Sequence, residues 1–183
     1  MHSWVSWRDR RPSAGLQARA VVMGVFSVGN LGPMASSVVK ELANIGLGRA
    51  TTALSDMTGR SFNMAVPHVD TVDVGLAGLV LGGEDGVVLG IYMPFDGDVE
   101  GHLAFLFPWA SAQELIRTLI GTAPESPAEI DELCASAALE VGNIINSSFL
   151  NAISDMTGLA MHATPPLVSA DLGSTVVSTL VAE

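Results

Sequence analysis

Two short polar constellations recur in the sequence. Ser37, Glu41 and Asn44 are spaced i, i+4, i+7, and Ser136, Glu140 and Asn143 repeat that spacing 99 positions later. On a helix each trio falls along one face and spans about 10 Å at 1.5 Å per residue. A carboxamide carries a donor and an acceptor, so each asparagine suits the orienting of a water molecule rather than service as a base. A glutamate one turn away can grip a cation on a partner. A serine, a glutamate and an asparagine on one helical face usually do no more than solvate a surface, and a single copy would carry that reading. The repetition weakens it. So does asparagine's middling-to-poor helix propensity, because it stands mid-helix both times.

The shared register extends beyond these six residues. Ala53 to Gly59 reads ALSDMTG, and Ala152 to Gly158 reads AISDMTG. Ile45 meets Ile144, Pro67 meets Pro166 and Val69 meets Val168, with no insertion or deletion between them. "MASSVVKELANIGLGRATTALSDMTG" predicts a helix with apolar positions at Val38, Leu42 and Ile45 and a glycine stop at Gly59. Gly46 and Gly48 are poor helix formers, each costing about 1 kcal/mol against alanine, and imply a bend or a close neighbour. "FNMAVPHV" predicts a strand, and "DTVDVGLAGLVLGGEDG" a weakly helical or looped stretch. "GVVLGIYMPF" and "VEGHLAFLFP" flank Asp-Gly, the signature of a hairpin. "ASAQELIRTLIG" predicts a short helix, and Thr122 to Pro127 a linker.

The second copy opens with "AEIDELCASAALEVGNIINSSFLNAISDMTG", a long helical pattern in which Asp131 and Glu132 near the start suit the helix dipole. "LAMHATPPLV" is the matching strand. "SADLGSTVVSTLVAE" reads as helix or strand. The expected fold class is therefore α+β with a pseudo-two-fold internal repeat. Each copy supplies a long motif helix and strands, and the copies share one sheet packed against helices. Repeat one spans residues 34–121 and repeat two 126–183. The second copy shows no counterpart of the hairpin between Gly86 and Pro108. That predicts either an asymmetric sheet or a C-terminally truncated chain whose hairpin has an unpaired edge.

Composition narrows the function. Hydrophobic residues make up 49% of the chain, enough to bury a core. The net charge is −11, and Arg8, Arg10, Arg11 and Arg19 lie in the first 19 positions beside one acid, Asp9. The rest holds four basic and 18 acidic groups, a formal −14, which excludes an electrostatic footprint for nucleic acid. Such acidity keeps a protein soluble by default, and it speeds encounter with partners that present lysine or arginine. Cys134 is the lone cysteine, so no intrachain disulfide forms, in keeping with a reducing, cytoplasmic setting. His2, His68, His102 and His162 have no metal-ligand spacing. No run of 18 apolar residues exists, so no membrane span is expected. Residues 1–33 read as a poorly ordered leader. A secretory signal is disfavoured because Gly24, Ser27 and Gly29 interrupt its apolar part.

The pattern of Ser or Asp, three residues, Glu, two residues, Asn, 22 residues and Pro resembles the signature of the CheC, CheX and FliY phosphatases of bacterial and archaeal chemotaxis. Both copies match it: Ser37, Glu41, Asn44 and Pro67, then Ser136, Glu140, Asn143 and Pro166. The resemblance covers roughly residues 34–183. Two intact copies look more like CheC or FliY than CheX, and the expectation leans away from full-length FliY, which would carry a FliN-like C-terminal domain as well. The resemblance implies hydrolysis of the aspartyl-phosphate of a CheY-type response regulator. Asn44 and Asn143 would then position the attacking water, and Glu41 and Glu140 would anchor the regulator's active-site lysine. Ser37, Ser136, Pro67 and Pro166 would support the motif. No cofactor of the protein's own is implied, since the regulator carries Mg²⁺. CheD is a further partner the resemblance suggests. The competing reading is a non-catalytic module that binds CheD or the flagellar switch.

Overall fold

The structure, a computed structural model, describes residues 3–6, 21–26, 33–60, 62, 70–73, 86–173 and 175–176. The elements run β1 (Ser3–Ser6), β2 (Val21–Phe26), α1 (Pro33–Thr58), β3 (Asp70–Asp73), β4 (Val87–Gly97) and β5 (Gly101–Pro108). They continue through α2 (Trp109–Ile120), a 3₁₀ turn (Pro127–Glu129), α3 (Glu132–Thr157), β6 (Met161–Ala163) and β7 (Leu167–Leu172). Together they form an α+β fold. The sheet is ordered β3-β1-β2-β5-β4-β6, with β7 also pairing β4, and its neighbours are antiparallel.

The hairpin β4–β5 is the centre of this sheet. Its register runs from Val88 opposite Pro108 to Phe95 opposite Gly101. Alternate residues of both strands face the helices: Leu89, Ile91, Met93 and Phe95, then Leu103, Phe105 and Phe107. Val88, Tyr92, Ala104 and Leu106 on the opposite face are buried as well. Two covered faces explain why both strands read as nearly continuous apolar runs instead of alternating ones. The helices complete the core with Ala43, Leu47, Ala50 and Leu54 from α1, Leu115 and Ile116 from α2, and Val141, Ile145 and Phe149 from α3. Phe149 meets Phe105 edge-on, with ring centroids 6.4 Å apart. Each such side chain contributes about 1.5–3 kcal/mol by leaving water.

Helices α1 and α3 are each 26 residues long, and their bounds differ by the same 99 positions as the polar trios. Both stop in the same way. Gly59 and Gly158 take left-handed φ angles of 66° and 74°. Their N–H groups donate to the Ser55 and Ser154 carbonyls, 2.8 Å in each case. The repeated SDMTG is thus a helix terminator, with glycine where a side chain would be strained. Along its length α3 is long and apolar enough to cross a membrane by length and composition; here its inner face packs on the core.

Several expectations need correction. Within the stretch read as an unordered leader, Ser3–Ser6 and Val21–Phe26 are strands, and β2 pairs β5 from Val21 opposite Leu106. A short apolar run rich in β-branched residues fits a strand better than a signal segment. Asp70–Asp73, read as looped or weakly helical, is strand β3. The second long helix begins at Glu132 rather than Ala128, because Asp131 caps it: its carboxylate accepts from the Cys134 N–H at 2.8 Å. The hairpin has no unpaired edge, since β4 pairs β6 and β7 on one side and β2 pairs β5 on the other. The strand expected over residues 62–69 lies outside the described residues except for Phe62, a buried bridge residue.

Candidate active site

Helices α1 and α3 carry the two trios. On α3, Ser136, Glu140 and Asn143 are all exposed, while Ala138, Val141 and Ile145 are buried. On α1, Ser37 and Glu41 are exposed, Asn44 is half-buried, and Ala43 and Leu47 are buried. Each trio lies beside a buried stripe, but not the one expected from the spacing. Val38 is 53% exposed and Leu42, Ile45, Ala137 and Ile144 are half-buried, because α1 turns Ala43, Leu47, Ala50 and Leu54 inward and α3 turns Ala138, Val141 and Ile145. Pro67 lies outside the described residues.

Pro166 is buried and reaches α3 directly beside Asn143. A Cβ built at Gly142 would sit 3.5 Å from Pro166 Cβ and 2.6 Å from Ile91 Cγ2. Gly142 thus lets α3 press against the sheet and the proline, which fixes the depth at which Asn143 is presented. Pro166 also marks a break in the edge strand. Thr164 Oγ1 and N–H both donate to the Pro94 carbonyl, at 2.7 and 3.1 Å, and the chain then passes Pro165 and Pro166 before β7 begins. Proline cannot donate to a ladder, so it belongs at such an interruption.

The helices touch near their middles. A Cβ at Gly46 would lie 2.6 Å from Phe149 Cδ2 and 3.0 Å from Phe149 Cα, so this glycine serves close approach rather than a bend. Gly48 faces open space, and nothing in the structure explains it. Arg49 pairs with Asp155 across the two helices, both exposed. At the start of α3 the Cys134 N–H bond holds the Asp131 carboxyl below its ordinary value, and burial pushes the Cys134 thiol up. A thiol so placed belongs to the core, not to chemistry.

Two features were not read from the sequence. Asn146 is 1% exposed, and neither its Oδ1 nor its Nδ2 has a hydrogen-bond partner. It occupies the position equivalent to Leu47 of α1, a polar-for-apolar exchange the alignment of the two copies makes visible. The second feature is a groove beside Glu140. Met57 and Thr58 from the end of α1, Leu119 and Ile120 from the end of α2, and Ala137 and Glu140 from α3 line it. Its walls come from three helices separated in sequence, so no single segment carries its signature.

On α3 the trio's carboxylate and carboxamide are both presented to solvent, one turn apart. The CheC-like family model matches residues 34–69, and that of the chemotaxis phosphatase CheX matches residues 89–179. The chain is similar to the CheY-P phosphatase CheC of Bacillus subtilis, 32% identical over 143 residues, which are 77% of this chain and 68% of the relative. Its fold matches the crystal structure of Thermotoga maritima FliY with a TM-score of 0.68 at 23% identity, over 79% of this chain and 72% of the other. A CheC-like superfamily protein from Shewanella sp. PV-4 matches at 0.53 and 22%, over 72% and 77%. The chain belongs to the CheC/CheX/FliY family of chemotaxis phosphatases.

Proposed function

We propose that the protein dephosphorylates the aspartyl-phosphate of a CheY-type response regulator, with Asn143 and Asn44 as the water-orienting groups. Glu140 and Glu41 receive the regulator's lysine, and the regulator brings its own Mg²⁺. The observation that carries this reading is the exposed presentation of Glu140 and Asn143, one turn apart on a helix seated on the sheet. The similarity to a CheY-P phosphatase supports the substrate. Both molecules would meet in the cytoplasm, where response regulators work.

In the reaction, a water oxygen forms a bond to phosphorus and the bond from phosphorus to the aspartyl oxygen breaks. The bonding pair leaves with the carboxylate, and the water's protons remain with the released phosphate. Acyl phosphates are activated toward this displacement, so the catalyst contributes positioning and charge stabilisation. The Asn143 carbonyl oxygen can accept from the water while the amide donates to a phosphoryl oxygen, which fixes the line of attack. Glu140 neutralises a lysine without itself moving a proton. Pro166 and Gly142 act on Asn143 through the seating of α3 and are positioning residues.

The test follows phosphate loss from a phosphorylated regulator of the same genome. The parent should accelerate it. Asn143→Ala and Asn44→Ala should each reduce the acceleration, on the order of 10–100-fold at the site removed. Equal rates with and without the protein would refute the reading.

A further inference from the structure

The groove beside Glu140 has a volume of about 330 Å³. Its walls come from three helices, so its shape is set by the packed core and not by a loop. Leu119 and Ile120 are half-buried against the core cluster and form an apolar base. Met57 is 45% exposed and stands at the mouth. Glu140 supplies the one charged group among the described lining residues. Ala137, Glu140 and Asn143 follow one another along α3 at three-residue steps, about 4.5 Å apart along the axis. Groove, carboxylate and carboxamide therefore succeed one another along a single helix.

We propose that this groove seats an apolar side chain of the phosphorylated regulator, next to the lysine that meets Glu140. The inference rests on the function proposed above and adds the surface that selects the partner. If Asn143 addresses phosphorus and Glu140 the lysine, whatever lies beyond the lysine is carried over Ala137, about 9 Å along the axis from Asn143. An aliphatic or aromatic group there would cover Met57, Leu119 and Ile120. A polar or acidic group would strip water from them without replacement and would face Glu140. Charge also argues against a second copy of this chain as occupant, since two chains of formal net charge −11 would be brought together at a carboxylate. A thioether at the mouth adapts to side chains of differing outline, so the groove can select for apolar character without demanding one residue type.

The test measures binding of a CheY-type regulator held in its activated form by beryllofluoride. Met57→Glu places a charge at the mouth, Ala137→Gln fills the groove, and Leu172→Glu is a control at an exposed apolar residue of β7. Both groove variants should bind about 5- to 20-fold more weakly, and the control should match the parent. At saturating regulator their kcat should stay within about twofold of the parent, because Asn143 is untouched. Parental affinity in both groove variants would overturn the inference. So would loss of self-association by these variants with regulator affinity unchanged, which would make a second copy the occupant. Normal turnover with affinity indifferent to the groove sinks the groove alone. Groove-sensitive binding without any phosphate release by the parent leaves the groove standing and sinks the catalytic reading.

Discussion

Asn143 and Asn146 lie one turn apart on α3 with opposite fates. Asn143 faces solvent, where its carboxamide is available to a partner, whereas Asn146 is buried with both polar atoms unpaired. A buried, unpaired amide is costly, and leucine is a branched near-equivalent already present at position 47 of α1. Asn146→Leu should therefore stabilise the protein by about 1–3 kcal/mol, read as a higher urea midpoint. A lower midpoint would show that the amide finds partners after all. Glu140 separates from Asn143 by kinetic signature. Glu140→Ala should raise KM more than it lowers kcat, because a docking contact is lost. Asn143→Ala should lower kcat with little change in KM. The trios themselves were legible from spacing because they repeat. Asn146 was not, since nothing in a lone sequence says which asparagine of a helix turns inward.

Among the elements, α3 is held at both ends and in the middle by identifiable contacts. Gly142→Ala would drive a methyl to within 2.6 Å of Ile91 Cγ2. The expected cost is about 1–3 kcal/mol, with a loss of activity from the displaced Asn143 even below the melting temperature. Unchanged stability and rate would show that α3 can lift off the sheet freely. At the helix start, the Asp131 carboxyl has its pKa lowered by the Cys134 N–H bond. A depressed carboxyl stabilises the fold fully above its unfolded value, near 3.8, and loses that contribution as pH falls through the folded value. Asp131→Asn should keep the cap while flattening this acid dependence in thermal melts. Sequence reading placed both long helices, their glycine stops, the hairpin and α2. It missed the cap at Asp131 because the helical pattern begins upstream of it, at Ala128. Strand β3 was missed because Asp70 to Asp73 is rich in aspartate, a residue depleted in strands, and its pairing with β1 is decided by a neighbour distant in sequence.

At the scale of the whole molecule, two helices of equal length carry the same polar trio in unequal surroundings: α3 is seated on the antiparallel sheet and α1 packs against α3. The α3 trio borders a groove walled by α1 and α2, and the α1 trio has its asparagine half-buried. The exchange of Gly46, Leu47 and Gly48 for Ile145, Asn146 and Ser147 already marks the two helices as unlike in sequence, and tertiary packing sets how their surroundings differ. The central claim is that two carboxamides orient the attacking water and contribute little else. Replacing both, as Asn44→Ala with Asn143→Ala, isolates that claim, since neither side chain belongs to the core cluster. The double variant should keep the parent's melting temperature and its affinity for a beryllofluoride-activated regulator, while its acceleration of phosphate release falls to the background rate. Dephosphorylation as fast as the parent's, at equal regulator binding, would contradict the account.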